Sequence, residues 1–238
     1  MKHTRLRARN FASVLKRRRN APLPTPPELD DPIAVLVMSL LMWETTTAKA
    51  AAAYKRIMDR IVDFNDLRVS MPHEVVGLIG SRYPLALQRC QRLRAVLRDT
   101  YNREHAMSLK RLHTVGKREI KAYVRSLDGI VPYVADRVML LCFDTHCIPV
   151  DDRLRRALVK AQACDDSVQI SELASWLARQ VKAADAPATH STLQALADRL
   201  PTAAAAPAPA RSSARGSTAK DAKAITPSRK MSARSRTG

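Results

Sequence analysis

The chain has 238 residues, enough for one or two compact units, and is 46% hydrophobic but only 4% aromatic, a balance that favours aliphatic helix packing over an aromatic-rich β-sandwich. No run of about 18 uncharged apolar residues occurs, which argues against a membrane span. No apolar stretch with a small-residue cleavage site follows the basic N-terminus, so a cytoplasmic protein is expected. The net charge of +19 sits mostly at the two ends: +8 in residues 1–20, +7 in residues 201–238, and +4 in the 180 residues between.

Residues 1–20 carry eight Lys/Arg and no acid, and are followed by the proline-rich joint APLPTPP at 21–27. Proline at that density cannot be helical, so residues 1–27 read as a basic, disordered arm. Such an arm fits polyanion binding through counterion release, with a merely solubilising segment as the alternative. Asp30-Asp31-Pro32 is a good helix start, because proline suits the first turn. The apolar run Ile33 to Trp43 has the length of a buried helix. Tyr54, Ile57, Met58, Ile61 and Val62 recur at helical spacing, as do Leu93, Val96 and Leu97, with Arg89, Arg92, Arg94 and Arg98 assigned to other faces of that helix. Ile120, Tyr123, Val124 and Leu127 repeat the pattern, and so do Leu173, Trp176, Leu177 and Val181. Strand-like alternation is nearly absent, so residues 28–200 are expected to form an all-α domain. Beyond Leu200 the Ala/Pro/Ser/Lys/Arg sequence of 201–238 is too poor in large apolar residues to offset the entropy of ordering, and reads as a disordered tail.

Cys90, Cys142, Cys147 and Cys164 match no paired zinc spacing. Buried reduced thiols are the default for such cysteines, and no metal site is expected.

The most informative stretch is LDGIVPYVADRVMLLCFDTHCIPVDDRLRRAL, residues 127–158. One helix ends near Leu127, Gly129 permits a tight turn that can be left-handed, Pro132 suits a first helical turn, and a second helix runs through Val134 to Leu141. Backbone N–H groups at such a hairpin form a natural phosphate site. With Leu127, Gly129, Ile130, Pro132, Tyr133 and Ala135 in the hairpin and Pro149, Val150 and Asp151 after it, the stretch resembles the pattern L-P-G-[VI]-G-x-[KY]-x-A … [PA]-V-D of the helix-hairpin-helix DNA glycosylases of the endonuclease III type. Residues 37–44, ending in Glu44, resemble an early buried helix of that family. The resemblance implies a two-lobed, all-α glycosylase fold over about 30–200, with the hairpin at about 117–143 and duplex DNA as the partner of a monomer associated with the nucleoid.

It also implies roles for particular residues. Asp151 takes the place of the catalytic acid, although it would equally make an N-cap for the helix from Arg153 to Lys160. Gly129, Ile130, Val131 and Pro132 take the DNA-contacting places. Tyr133 stands where lyase relatives carry a Schiff-base lysine; it is either part of the site or an ordinary packing aromatic. Leu41 and Glu44 fall where relatives line the base pocket, and Glu44 can also be read as one half of a structural ion pair. The four-cysteine signature of an iron–sulfur cluster is missing, so no cluster is expected, whereas the hairpin leaves room for a monovalent cation. Three departures bear on activity: Val131 in place of a glycine where positive φ would be unfavourable, Asp128 in place of proline, and Leu41 in place of a polar residue. Two decoys fail on register, namely Leu112 to Arg118, which would pair with Asp136, and Phe143 to His146, with Asp144.

The expected function is therefore base-excision repair by a DNA N-glycosylase that removes a damaged or mismatched base with weak or no AP-lyase activity. The alternatives are a DNA-binding relative that has lost catalysis, and, on charge alone, an RNA- or ribosome-associated helical protein.

Overall fold

The computed structural model describes residues 4–18 and 31–201, and among these every regular element is helical. Eleven α-helices are described: α1 (Thr4–Arg18), α2 (Pro32–Met42), α3 (Thr47–Met58), α4 (Phe64–Val69), α5 (Pro72–Ile79), α6 (Ala86–Glu104), α7 (Lys117–Arg125), α8 (Pro132–Cys142), α9 (Asp152–Lys160), α10 (Ile170–Gln180) and α11 (Ala186–Ala197). None among the described residues is long and apolar enough to cross a membrane. Their side chains gather into two hydrophobic cores, which makes the fold two-lobed.

The first core is built around α2, whose eleven residues are all buried. Asp31 caps it, its carboxylate accepting from the Ile33 N–H at 3.3 Å, and Pro32 occupies the first turn. Helices α3, α6 and α8 surround α2, so its apolar residues line every face rather than one stripe. Burial of each such Leu or Ile contributes roughly 1.5–3 kcal/mol. Periodicity over-extended one element: α3 ends at Met58, and Val62 is 91% exposed. Asp63 already caps the next helix, so the chain turns at 59–63.

The second core joins α1, α9, α10 and α11 around Phe11, Leu154, Leu158, Trp176, Leu177 and Leu193. Here the reading of residues 1–27 as a disordered arm is corrected in part. Residues 4–18 form helix α1, and Phe11, 2% exposed, meets the ring of Trp176 edge-on at 5.6 Å. Ala8 and Leu15 pack beside it. The apolar residues 8, 11 and 15 share one helix face, a signal hidden among eight cations. Residues 19–30, with the proline-rich joint, and residues 202–238 of the C-terminal tail lie outside the described residues.

Helix α7, a turn at 126–131 and helix α8 make the hairpin. Gly129 has φ +76°, and a Cβ there would lie 2.9 Å from the Arg92 carbonyl oxygen on α6. The hairpin thus presses directly on α6, in a conformation that L-residues disfavour.

Two stability outcomes follow. Phe11→Ala is expected to cost about 3 kcal/mol in urea unfolding, whereas deletion of a side chain from an unordered arm would cost nothing. Gly129→Ala is expected to cost about 2 kcal/mol or more, from backbone strain and the clash with Arg92 together; a thermal melt indistinguishable from that of the parent would contradict this.

Candidate active site and hairpin

Asp151 lies where the two lobes meet. It is the N-cap of α9, its Oδ1 accepting the Leu154 N–H at 2.8 Å. Its Oδ2 accepts the backbone N–H of Glu44 at 3.0 Å, from the residue that follows Trp43 at the end of α2. Glu44 reciprocates, its Oε1 accepting the Asp152 N–H at 2.9 Å. Asp151 thus holds the backbone of Glu44, and Glu44, at φ +56°, holds that of Asp152, the residue after Asp151. Arg156 lies 3.9 Å from the far Glu44 oxygen.

Burial pushes the Glu44 carboxyl up to about 7, and the neighbouring Asp151 adds to the shift. Burial also pushes Asp151 up, while the two N–H donors and Arg153 pull it back. Both acids cannot ionise cheaply side by side. Asp151 has two fixed backbone donors and Glu44 has one.

Tyr133 is 2% exposed and donates from its hydroxyl to Gln194 Oε1 at 3.1 Å. Its ring lies 6.5 Å from that of His190, edge-on. Burial pushes the phenol far up, so it remains a neutral donor. Burial, with Arg137 nearby, pushes His190 down to about 3 and keeps it neutral. Gln194 donates onward to Asp198 at 3.0 Å, and Asp198 accepts the Thr47 N–H at 3.2 Å. Arg137, buried in α8, donates to Ser39 Oγ at 2.7 Å. Tyr133 therefore bonds α8 to α11.

The remaining site residues fall as follows. Leu41 is fully enclosed in the first core, and its carbonyl accepts the Tyr83 hydroxyl at 2.8 Å. Val131 has φ −115°, which an L-residue adopts without strain, so the expected penalty for positive φ at this position does not arise. Its side chain is buried in the first core, with Ile130 packed against it, and Pro132 is exposed at the first turn of α8. Asp128 is exposed and gives its N–H to Asp99 Oδ2 at 2.8 Å. Of the decoy acids, Asp136 is buried against Arg125 at 2.9 Å, and Asp144 is exposed at the end of α8. Asp151 is the one of the three held between the lobes.

Three further residues matter here that the sequence reading does not single out. Arg89 reads as part of a polar face, yet it is fully buried and donates to the carbonyls of Leu40, Trp43 and Pro84. Its spacing with Leu93, Val96, Leu97 and Thr100 places it on the apolar face of α6, and that signal is legible. His190 and Gln194 share the buried face of α11 with Ala186, Leu193 and Ala197, a fainter signal because that face is mostly small or polar. Among the described residues no three His, Cys, Asp or Glu side chains come together as metal ligands. Burial raises the thiols of Cys90, Cys142 and Cys147 to about 12.

No protein-family model and no curated protein matches the sequence. Solved structures do match. An endonuclease III trapped as a covalent intermediate with DNA shares 18% identity over 82% of this chain and 85% of that one, with a TM-score of 0.61. A thermostable thymine-DNA glycosylase shares 16% identity over 82% and 88%, at 0.59. The 8-oxoguanine glycosylase/lyase of Clostridium acetobutylicum shares 13% over 80% and 66%, at 0.58. The fold is that of the helix-hairpin-helix DNA glycosylases. In that fold, the hairpin of α7 and α8 and the acid at the head of α9 are the two features that the sequence resemblance singled out.

The raised Glu44 carboxyl gives a pH test. Between about pH 4.5 and about 7 the folded protein keeps a proton that the unfolded chain releases, so this group's contribution to stability is lost as pH rises through that window. Glu44→Gln keeps the acceptor for Asp152 and removes the charge. Its melting temperature is expected to exceed the parent's above pH 7, with the difference closing by pH 4.5. An equal offset at both ends would show that the proton is not held there.

Proposed function

We propose that this protein is a base-excision DNA N-glycosylase, acting on a damaged or mismatched base in duplex DNA and releasing it by hydrolysis. The observation that carries the reading is the Asp151 carboxylate, fixed by two backbone N–H groups at the head of α9 and paired with Glu44. The solved structures similar in fold include an endonuclease III on DNA, a thymine-DNA glycosylase and an 8-oxoguanine glycosylase/lyase on DNA, which supports this reading.

Cleavage of an N-glycosidic bond builds positive charge on the sugar, and a pre-positioned carboxylate stabilises it. The bond electrons leave with the base, water adds to the sugar carbon, and the water proton passes to the acid pair and on to the departing base, which returns the pair to its starting state. Asp151 is already oriented for this, since each of its oxygens spends one lone pair on a backbone N–H and keeps another. Glu44, with its raised carboxyl, is placed to exchange the proton. A flipped-out nucleotide would bring its sugar to this point, with the turn Gly129, Ile130, Val131 and Pro132 beside the neighbouring phosphate and the N–H groups of Gly129 and Val131 as its donors; Ile130 gives its N–H to the Leu127 carbonyl and Pro132 has none.

Tyr133 has no amine and cannot form a Schiff base, and its hydroxyl is engaged by Gln194. The proposed reaction therefore stops at base removal, with weak or no strand cleavage. A cation at the hairpin does not fit these residues: Arg92 already donates to the Gly129 carbonyl at 3.2 Å, placing a fixed positive charge there.

Single-turnover assays on a panel of damaged and mismatched duplexes test the reading. Base release without strand scission and without a borohydride-trapped adduct is expected on at least one lesion. Asp151→Asn is expected to slow it by about 10²–10⁴. If no lesion is processed while duplex DNA is still bound, the protein is a helix-hairpin-helix DNA-binding relative without catalysis.

A further inference from the structure

We infer that the outer ridge of α1, made by Arg5, Arg9 and Lys16, is a second binding surface for the phosphodiester backbone of duplex DNA, separate from the hairpin. This rests on the DNA-binding reading above.

Helix α1 has two unlike sides. Phe11, Ala8 and Leu15 hold it to the second core. Arg7 makes an ion pair with Asp165, and Asn10 Nδ2 donates to the Gln162 carbonyl at 2.8 Å. These interactions fix the rotation of the helix about its axis. Arg5, Arg9 and Lys16, at i, i+4 and i+11, then fall on one exposed line with Ala12 between them. From first to last the line spans about 16 Å, the rise of eleven helical residues, along which one DNA strand presents about five phosphates.

An ordinary solvated helix face mixes its charges. Elsewhere on this protein some exposed cations have acids on or beside their own helix, as in Lys55–Asp59, Arg103–Asp99 and Arg111–Glu104, and others, such as Arg82, Arg98 and Lys160, make no ion pair among the described residues. Residues 1–20 contain no acid, and among the described residues none of the three ridge cations makes an ion pair. The arrangement also works against the helix itself. Arg5 lies in the first turn, at the positive end of the helix dipole, and Arg5 and Arg9 repel at i, i+4. Each effect costs a few tenths of a kcal/mol or more, and a polyanion laid along the ridge removes both. An anionic membrane is the weaker match. The apolar face that would enter a bilayer is spent on Trp176 and its neighbours, and Leu6 is the one large apolar side chain left exposed on α1.

The test uses the full chain and a labelled, undamaged duplex, with affinity measured between about 50 and about 200 mM salt. Arg5→Gln/Arg9→Gln/Lys16→Gln is expected to weaken binding at least tenfold at the lowest salt. It is also expected to flatten the slope of log K against log salt by about 2–3, at about 0.9 for each phosphate no longer neutralised. The charge-conserving Arg5→Lys/Arg9→Lys/Lys16→Arg should keep the parental slope, and both variants should melt no lower than the parent because the buried face is untouched. A parent that binds duplex with a slope the glutamine variant leaves unchanged overturns the ridge and spares the glycosylase reading. A parent that binds no duplex at any salt overturns both. Loss of affinity for phosphatidylserine vesicles or for RNA, with duplex DNA binding unchanged, would also overturn the inference.

Discussion

Helix α2 has no exposed face, and the site follows from that constraint. A helix ends with carbonyl groups that have no partner in the helix, and a buried end must find those partners in the protein. Arg89 takes the carbonyls of Leu40 and Trp43, and the Tyr83 hydroxyl takes that of Leu41. The next donor along the chain, the Glu44 N–H, goes to Asp151. A buried arginine with no acid partner is costly unless each donor is used, and here its guanidinium also lies near the rings of Trp43 and Tyr83. The end of α2 is thereby held rigidly enough to define where Asp151 can sit.

The same solution recurs on the other lobe. Arg153, next but one after Asp151, is buried and donates to the carbonyls of Ala197, Leu200 and Pro201 at the end of α11. Asp151 is thus flanked by two helix ends, each closed by an arginine from another helix. Tyr133–Gln194–Asp198–Thr47 runs between α8, α11 and α3 and joins the lobes a second time. The acid pair and this chain are polar links between the two cores. Such networks specify one arrangement when each member is satisfied, so the relative placement of the two cores and the geometry at Asp151 are set together.

The hairpin shows how departures from a family pattern can be absorbed. Gly129 is the position that needs the absent side chain, for both its positive φ and its close approach to α6. Val131 needs no such freedom; it takes an extended conformation and adds its side chain to the first core. Asp128 turns outward and its N–H is met by Asp99. With Val131 and Asp128 in place of the glycine and proline of the pattern it resembles, the chain keeps the helix, turn, helix path.

The sequence by itself determined most of the helices, the hairpin and the place of Asp151 as a helix N-cap, because these depend on local spacing: apolar residues at three and four, a glycine before a proline, and an acid directly before a helix. It misleads at α1, where three apolar residues are outweighed by eight cations, and at Arg89, where charge masks a periodicity that points inward. Only the tertiary structure decided the partners of Asp151 and Tyr133. Glu44 lies 107 residues from Asp151, and Gln194 lies 61 from Tyr133. No local pattern specifies which distant backbone N–H a carboxylate will meet, since that follows from how two cores pack and which buried groups remain to be satisfied.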